Sequence, residues 1–278
     1  VVVGGSLFGD NLSFISDTTI MATKTQGCRM SDKFKANIGI ALPASIIAII
    51  AYLFIGSGIE SQTGGDIDNP LNVLPYLVVF ILAIAGMNVI WVLIMGIITA
   101  IVLALSYGTM DIPSIWEAIQ KGVLGMHDLI IVTIIAAVII DQLRKRGAID
   151  WLIMNMGRII SSRRGAELSI AGAVVAVDLL TANNTIAILA VGPVARSISY
   201  RYGIEAKRAA SILDTMSCFA QGIIPWGAQL LIAAGLASIN PLDIIPYLYY
   251  PYILGTITIL NIIFYKKKAT DTDCHEKK

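Results

Sequence analysis

The chain has 278 residues, 56% of them hydrophobic and 14% charged. Soluble domains carry about 25% charged residues, so an ordinary soluble domain is excluded. Twenty basic against 19 acidic side chains leave a formal charge of +1, which excludes the basic excess of a nucleic-acid binder. The hydrophobicity excludes disorder. Cys28, Cys218 and Cys274 lie too far apart for a disulfide framework or a metal-binding spacing.

The chain enters apolar sequence at Val1-Val2-Val3, without Met and without a signal-peptide pattern, and we expect a first part to precede it. Residues 1–23 read as a helix broken inside Gly9-Asp10-Asn11-Leu12-Ser13-Phe14-Ile15-Ser16-Asp17-Thr18-Thr19. Charge-free gaps run from Lys35 to Glu60, Asp68 to Asp111, Asp214 to Asp243 and Asp243 to Lys266, and a membrane span needs about 20 mostly apolar residues. They predict spans at 37–56, 73–87, 89–107, 125–142 and 245–265. Ile112–Gly122 reads as an amphipathic helix at the outer interface, with Trp116 at headgroup level. The regions 167–195 and 209–235 are apolar but interrupted, the second at Gly222 and Pro225, as in discontinuous transporter helices.

Basic residues set the orientation, because cytoplasmic loops collect them. Lys24, Arg29, Lys33 and Lys35 form one cluster, and Arg144 to Arg164 a second. Arg196, Arg201, Lys207 and Arg208 form a third, and Lys266 to Lys278 a fourth. Region 167–195 has basic loops on both sides and about 28 residues. It reads as a re-entrant hairpin on the cytoplasmic face, with the C-terminus cytoplasmic as well. Three parts follow. Residues 1–57 end a first repeat, 58–124 link, and 125–265 form a second repeat, before the tail 266–278.

Ionisable and polar groups at membrane depth are costly and mark ion pathways. The first cluster holds Asp10, Asn11, Ser13, Ser16, Asp17, Thr18 and Thr19. The second, at the hairpin tip, holds Thr181, Asn183, Asn184 and Thr185, with Asp178 nearby. The third holds Asp214, Thr215 and Ser217. Carboxylate, hydroxyl, amide and freed backbone carbonyl are the oxygens that a small hard cation takes. Ordinary caps and turns would need one such residue, not seven. Asp17 is the first choice for a carboxylate shared by cation and proton, Asp10 the second and Asp214 the third. Ile15-Ser16-Asp17-Thr18 faintly repeats in Ile212-Leu213-Asp214-Thr215. The opposite crossing directions make the pair an inverted repeat. The fold class expected is an all-α polytopic membrane protein, an inverted-repeat secondary transporter.

At these residues the chain resembles the NhaC-type sodium/proton antiporter family. The likeness rests on Phe8-Gly9-Asp10-Asn11 with Ser13, Ser16-Asp17-Thr18-Thr19, Trp116-Glu117-Ala118 with Lys121-Gly122 and Gly125-Met126, and Ile223-Ile224-Pro225-Trp226. It departs at Phe14, where the family usually has Pro, and at Leu213, where Glu is usual. The resemblance implies a bacterial cytoplasmic-membrane antiporter of the ion-transporter superfamily, without cofactors. It also implies a further polar hairpin ahead of Val1. Its partners would be the bilayer, Na+ and H+, and a second copy of the chain as a homodimer. Relatives that exchange organic acids of the malate/lactate type with sodium share the pattern, so that alternative stays open. An intramembrane aspartyl protease is the distant alternative. Its Gly-x-Gly-Asp motif fails at Leu7, and an antiporter needs no enzymatic chemistry.

Overall fold

The structure, a computed structural model, describes residues 1–13, 16–56, 70–84, 87, 89–125, isolated positions between 131 and 151, 162–237 and 239–265. The span expected at 125–142 and the tail 266–278 lie outside the described residues, apart from Gly125 and a few isolated positions. All regular structure among the described residues is helical. In chain order, α1 runs Val2–Leu12, α2 Asp17–Gln26, α3 Met30–Gly56, α4 Leu74–Ile84, α5 Val89–Ser106, α6 Ile112–Gly125, α7 Arg163–Thr181, α8 Asn184–Tyr202, α9 Ala206–Ile223, α10 Ala228–Ala237 and α11 Tyr249–Phe264. A short turn of helix at Pro241–Ile244 and the 3-10 turn Ile245–Tyr247 precede α11.

The chain divides into two compact units. One is Gly58–His127, and the other joins Val1–Ser57 to Asp128–Lys278. Within the smaller unit, α4 packs on α5. The contact is close at Gly96, where a Cβ would meet Val79 Cγ2 at 2.5 Å. The 11 residues of α4 rise about 16 Å and lie within the stretch expected at 73–87. The amphipathic helix expected at 112–122 is α6, with Trp116 exposed.

In the larger unit α9 is the hub. It packs against α1, α2, α3, α7, α8 and α11, and every residue from Arg208 to Cys218 is buried. The buried residues of α3 are Lys33, Asn37, Ile40, Ala41, Ala44, Ser45 and Ala48, a stripe at helical spacing. The opposite face exposes Ile46, Ile47, Ile50, Leu53 and Phe54, which lipid tails accommodate and water does not. Met30–Gly56 and Ala206–Ala237 are long and apolar enough to cross a bilayer. The pair Pro241–Tyr247 and Tyr249–Phe264, bent by 53°, is a third candidate if it counts as one span. The chain is a multi-pass membrane protein.

Helices α7 and α8 make a hairpin whose turn is only Ala182-Asn183. Ala182 takes the left-handed φ of 47°, and the Asn183 side chain accepts the Ile186 N–H at 3.0 Å, capping α8. Two arms of 19 residues rise about 28 Å each. The expected limits 167–195 are therefore too narrow. Arg163, Arg164 and Arg201 belong to the helices and not to the flanking loops, because arginine stems lie along a helix and carry only the head out.

One junction among α7, α9 and α11 is tightly made. Arg208 donates to both Glu167 oxygens, at 2.8 and 2.7 Å, and to Asn261 Oδ1 at 2.8 Å. Its guanidinium lies 3.8 Å from the Tyr265 ring centroid. This ties α7, α9 and α11, so Arg208 is a packing element and not the loop charge that its place in the third basic cluster suggests.

Candidate functional site

The site forms where the last turn of α1 and the first turn of α2 meet α3 and α9. Helix α1 ends at Leu12, and Ser16 caps α2 by accepting the Thr19 N–H at 3.2 Å. Ser16 and Thr18 hydroxyls lie 2.8 Å apart, and Thr18 donates to Asp10 Oδ2 at 3.2 Å. The Thr19 hydroxyl donates to the Ser13 carbonyl at 2.9 Å. The polar residues between the two helices thus hold one another and still present oxygen inward.

Into this cup reaches Lys33, fully buried on α3. Its Nζ lies 2.7 Å from Asp214 Oδ2 and donates to Thr19 Oγ1 at 2.6 Å and to the Asn11 carbonyl at 3.3 Å. One turn later on the same stripe, Asn37 donates to Asp214 Oδ2 at 2.7 Å and to the Asn11 carbonyl at 3.0 Å. The Asn11 amide donates in turn to Cys218 Sγ at 3.0 Å, to Tyr250 OH at 3.2 Å and to the Leu7 carbonyl at 3.1 Å. Asp214 is 1% exposed. A buried carboxylate is stable only when paired and hydrogen-bonded, and Lys33 with Asn37 supplies both.

The arrangement leaves acceptors over. Among the described residues, Asp214 Oδ1, Asn11 Oδ1, Asn37 Oδ1 and Gln221 Oε1 have no hydrogen-bond partner. Neither does either carboxylate oxygen of Asp178, which is 0% exposed on α7. Gln221 joins the hairpin tip to α9 and α10, donating to the Ala182 carbonyl at 3.3 Å and to Gln229 Oε1 at 2.7 Å.

The residues singled out in the sequence divide accordingly. Asp10, Asn11, Ser13, Ser16, Thr18, Thr19 and Asp214 come together. Asp17, the first choice for the shared carboxylate, stands exposed in the first turn of α2, where a negative charge complements the helix N-terminus. Thr181 donates to the Asn183 carbonyl at 3.3 Å, and Asn184 Oδ1 accepts the Thr185 N–H at 2.9 Å, so the tip residues serve the turn itself. The buried Thr215 and Ser217 hydroxyls bond back to Ser211 and Asp214 carbonyls of α9. Lys33 corrects the reading of the first basic cluster: it is not a cytoplasmic loop charge but the partner of Asp214. Asn37 escaped notice too. The signal for both is their register, because Lys33, Asn37, Ile40 and Ala44 continue one buried helical stripe.

The model of a Na+/H+ antiporter family matches residues 70–265. The chain is 26% identical over 290 residues to the Na(+)/H(+) antiporter NhaC of Alkalihalophilus pseudofirmus, covering 93% of this chain and 63% of that protein. It is 26% identical over 299 residues to the Na(+)/H(+) antiporter NhaC of Bacillus subtilis, covering 96% and 66%. It is also 19% identical over 306 residues to the malate-2H(+)/Na(+)-lactate antiporter of Bacillus subtilis, covering 97% and 65%. The chain thus spans just under two thirds of the length of these relatives. No solved structure matches it.

Proposed function

Since the chain belongs to the Na+/H+ antiporter family, we propose that it forms the cation-handling part of a secondary transporter that exchanges Na+ for H+ across a bacterial cytoplasmic membrane. The observation that carries this reading is Asp214, a carboxylate sealed among membrane-length helices with one oxygen still unpartnered. A carboxylate removed from water resists standing bare, so it holds either a proton or a cation. Competition for it, with access alternating between the two faces, couples the two flows without covalent chemistry.

Asp214 and Asp10 take the shared role, in place of the exposed Asp17. Oxygen from Asn11, Ser13, Ser16, Thr18 and Thr19 completes the shell on one side. On the other side stand Thr215, Ser217 and the tip residues Thr181, Asn183, Asn184 and Thr185. The inverted repeat belongs to this proposal. The interrupted pair α1–α2 leads into α3, and the interrupted pair α9–α10 leads into α11, with α3 packed along α11. Irregular backbone at the two breaks then lines the cavity in which the ion rests.

The test is Na+-dependent proton movement in everted membrane vesicles carrying the full-length protein. We expect Na+ to collapse a preformed pH gradient, and Asp214→Asn to abolish that response while protein remains in the membrane. A wild-type response that needs added malate or lactate favours the sodium-coupled organic-acid reading, which the malate-2H(+)/Na(+)-lactate relative supports. Vesicles indifferent to Na+ under both conditions sink the proposal.

A further inference from the structure

The ammonium of Lys33 is surrounded by oxygen. Asp214 Oδ2 stands at 2.7 Å, Thr19 Oγ1 at 2.6 Å and the Asn11 carbonyl at 3.3 Å. A carboxylate, a hydroxyl and a backbone carbonyl are the donor types a small hard cation takes. They come from α9, α2 and α1, and none comes from the helix that carries the lysine. The residues around the lysine also carry more buried acceptors than it uses. Asp214 Oδ1, Asn11 Oδ1 and Asn37 Oδ1 are buried and have no hydrogen-bond partner among the described residues. An ion pair that served packing alone would satisfy both carboxylate oxygens, as Arg208 does for Glu167 in the same unit.

Resting on the exchange function above, we propose that Lys33 is a tethered counter-cation: its ammonium occupies the oxygen cage of Asp214, Thr19 and Asn11 in the empty carrier, and a free monovalent cation takes that cage when the lysine swings aside. The four-carbon stem permits the swing, and the ammonium is a compact charge with rotatable donors, unlike a guanidinium fork. The empty carrier then never presents a bare Asp214, and an arriving Na+ has to displace a resident cation of the same charge.

The experiment measures thermal unfolding of the purified full-length protein in NaCl and in choline chloride of equal ionic strength. Lys33→Met vacates the cage. We expect Na+ to raise its unfolding temperature, with half-effect at a concentration at least about ten-fold below that which moves the wild type, since binding to the folded state alone stabilises it. The Lys33→Met, Asp214→Asn double variant should show no such Na+ effect. A folded Lys33→Met protein that ignores Na+, or needs as much Na+ as the wild type, overturns the proposal. So does a Lys33→Met protein that folds in neither salt, because Na+ should replace the lysine. Lys33→Arg supplies a second reading, in vesicles. A guanidinium that forks onto the carboxylate should raise the Na+ half-saturation of exchange, and an unchanged value counts against us. Loss of exchange in the wild type would refute the function, whereas these outcomes concern Lys33 alone.

Discussion

Asp214 and Asp178 are both buried carboxylates, yet their removal should cost very different amounts. Asp214→Asn strands the Lys33 ammonium among neutral oxygens, and breaking a buried pair by removing one partner costs about 3–5 kcal/mol. Asp178 has no hydrogen-bond partner among the described residues, so Asp178→Asn removes a carboxylate without stranding anything and should cost less than about 1 kcal/mol. Thermal unfolding of the two purified variants checks the contrast, and equal losses would contradict it. Cys28, in the turn between α2 and α3, offers a pH measurement. Burial first, and then the neighbouring Asp32, push its thiol up to about 11. The thiolate is the nucleophile, so alkylation of Cys28, with the other cysteines replaced by serine, should keep accelerating by about ten-fold per pH unit past the ordinary thiol range. A rate that levels off near pH 8.5 refutes the shift, and Asp32→Asn should bring the plateau to lower pH. The polar residues of the site were legible where they interrupt apolar sequence, as Asp10, Asn11, Thr19 and Asp214 do. Lys33 was not, because a lysine in a basic cluster beside a span already has a sufficient explanation in loop charge. Its one signal in the sequence is register, since Lys33 opens the stripe that Asn37, Ile40 and Ala44 continue.

At the scale of elements, the α7–α8 hairpin is the most exactly specified piece, and its turn makes a paired prediction. Ala182 sits at φ 47°, a left-handed conformation that costs a residue with a Cβ about 1–2 kcal/mol. Glycine adopts it freely, although it adds freedom to the unfolded chain. Ala182→Gly should therefore stabilise the protein by up to about 1 kcal/mol. Asn183→Ala removes the side chain that caps α8 through the Ile186 N–H and should destabilise by about 1 kcal/mol. Opposite shifts in the same unfolding assay confirm that the turn is held as described, and shifts of one sign do not. The asparagine pair made this turn readable in the sequence, and the basic residues on either side made the hairpin readable. Its length was not. The apolar run ends before the helices do, because Arg163, Arg164 and Arg201 extend helical turns by aiming their charged heads at partners or water. Glu167 is such a partner for Arg163. The contact of α8 with α2 was invisible as well. It depends on Gly192, where a Cβ would fall 2.6 Å from Thr25 Cβ, and on the Gln26 side chain donating to the Gly192 carbonyl at 2.9 Å.

For the molecule as a whole, the distribution of charge predicts how the chain is threaded, and the larger unit can be tested alone. A hairpin returns to the side from which it starts, so the beginning of α7 and the end of α8 must share a face. From that face α9 and α10 run as one apolar stretch of 32 residues. Fully helical, such a stretch rises about 48 Å. Even with the interruption at Ile224–Gly227 it exceeds a hydrocarbon core of about 30 Å. Asp243 is therefore expected on the opposite face. By the distribution of positive charge the first face is expected to be cytoplasmic, since Arg163, Arg164, Arg201 and Lys207 all gather there, whereas the segment around Asp243 has no basic residue. Single cysteines at Arg164, Arg201 and Asp243, all exposed positions, separate the possibilities when the native cysteines are replaced by serine. A membrane-impermeant maleimide should label positions 164 and 201 in everted vesicles and position 243 in right-side-out ones. Labelling of 164 and 201 from different faces would dissolve the hairpin. Labelling of all three from one face would turn α9 and α10 into a second re-entrant pair, and labelling in the reverse pattern would invert the whole orientation. The same threading makes the proposed exchange possible. It places Asp214 part-way along a crossing helix, where a side chain can be opened to one face while it is shut to the other.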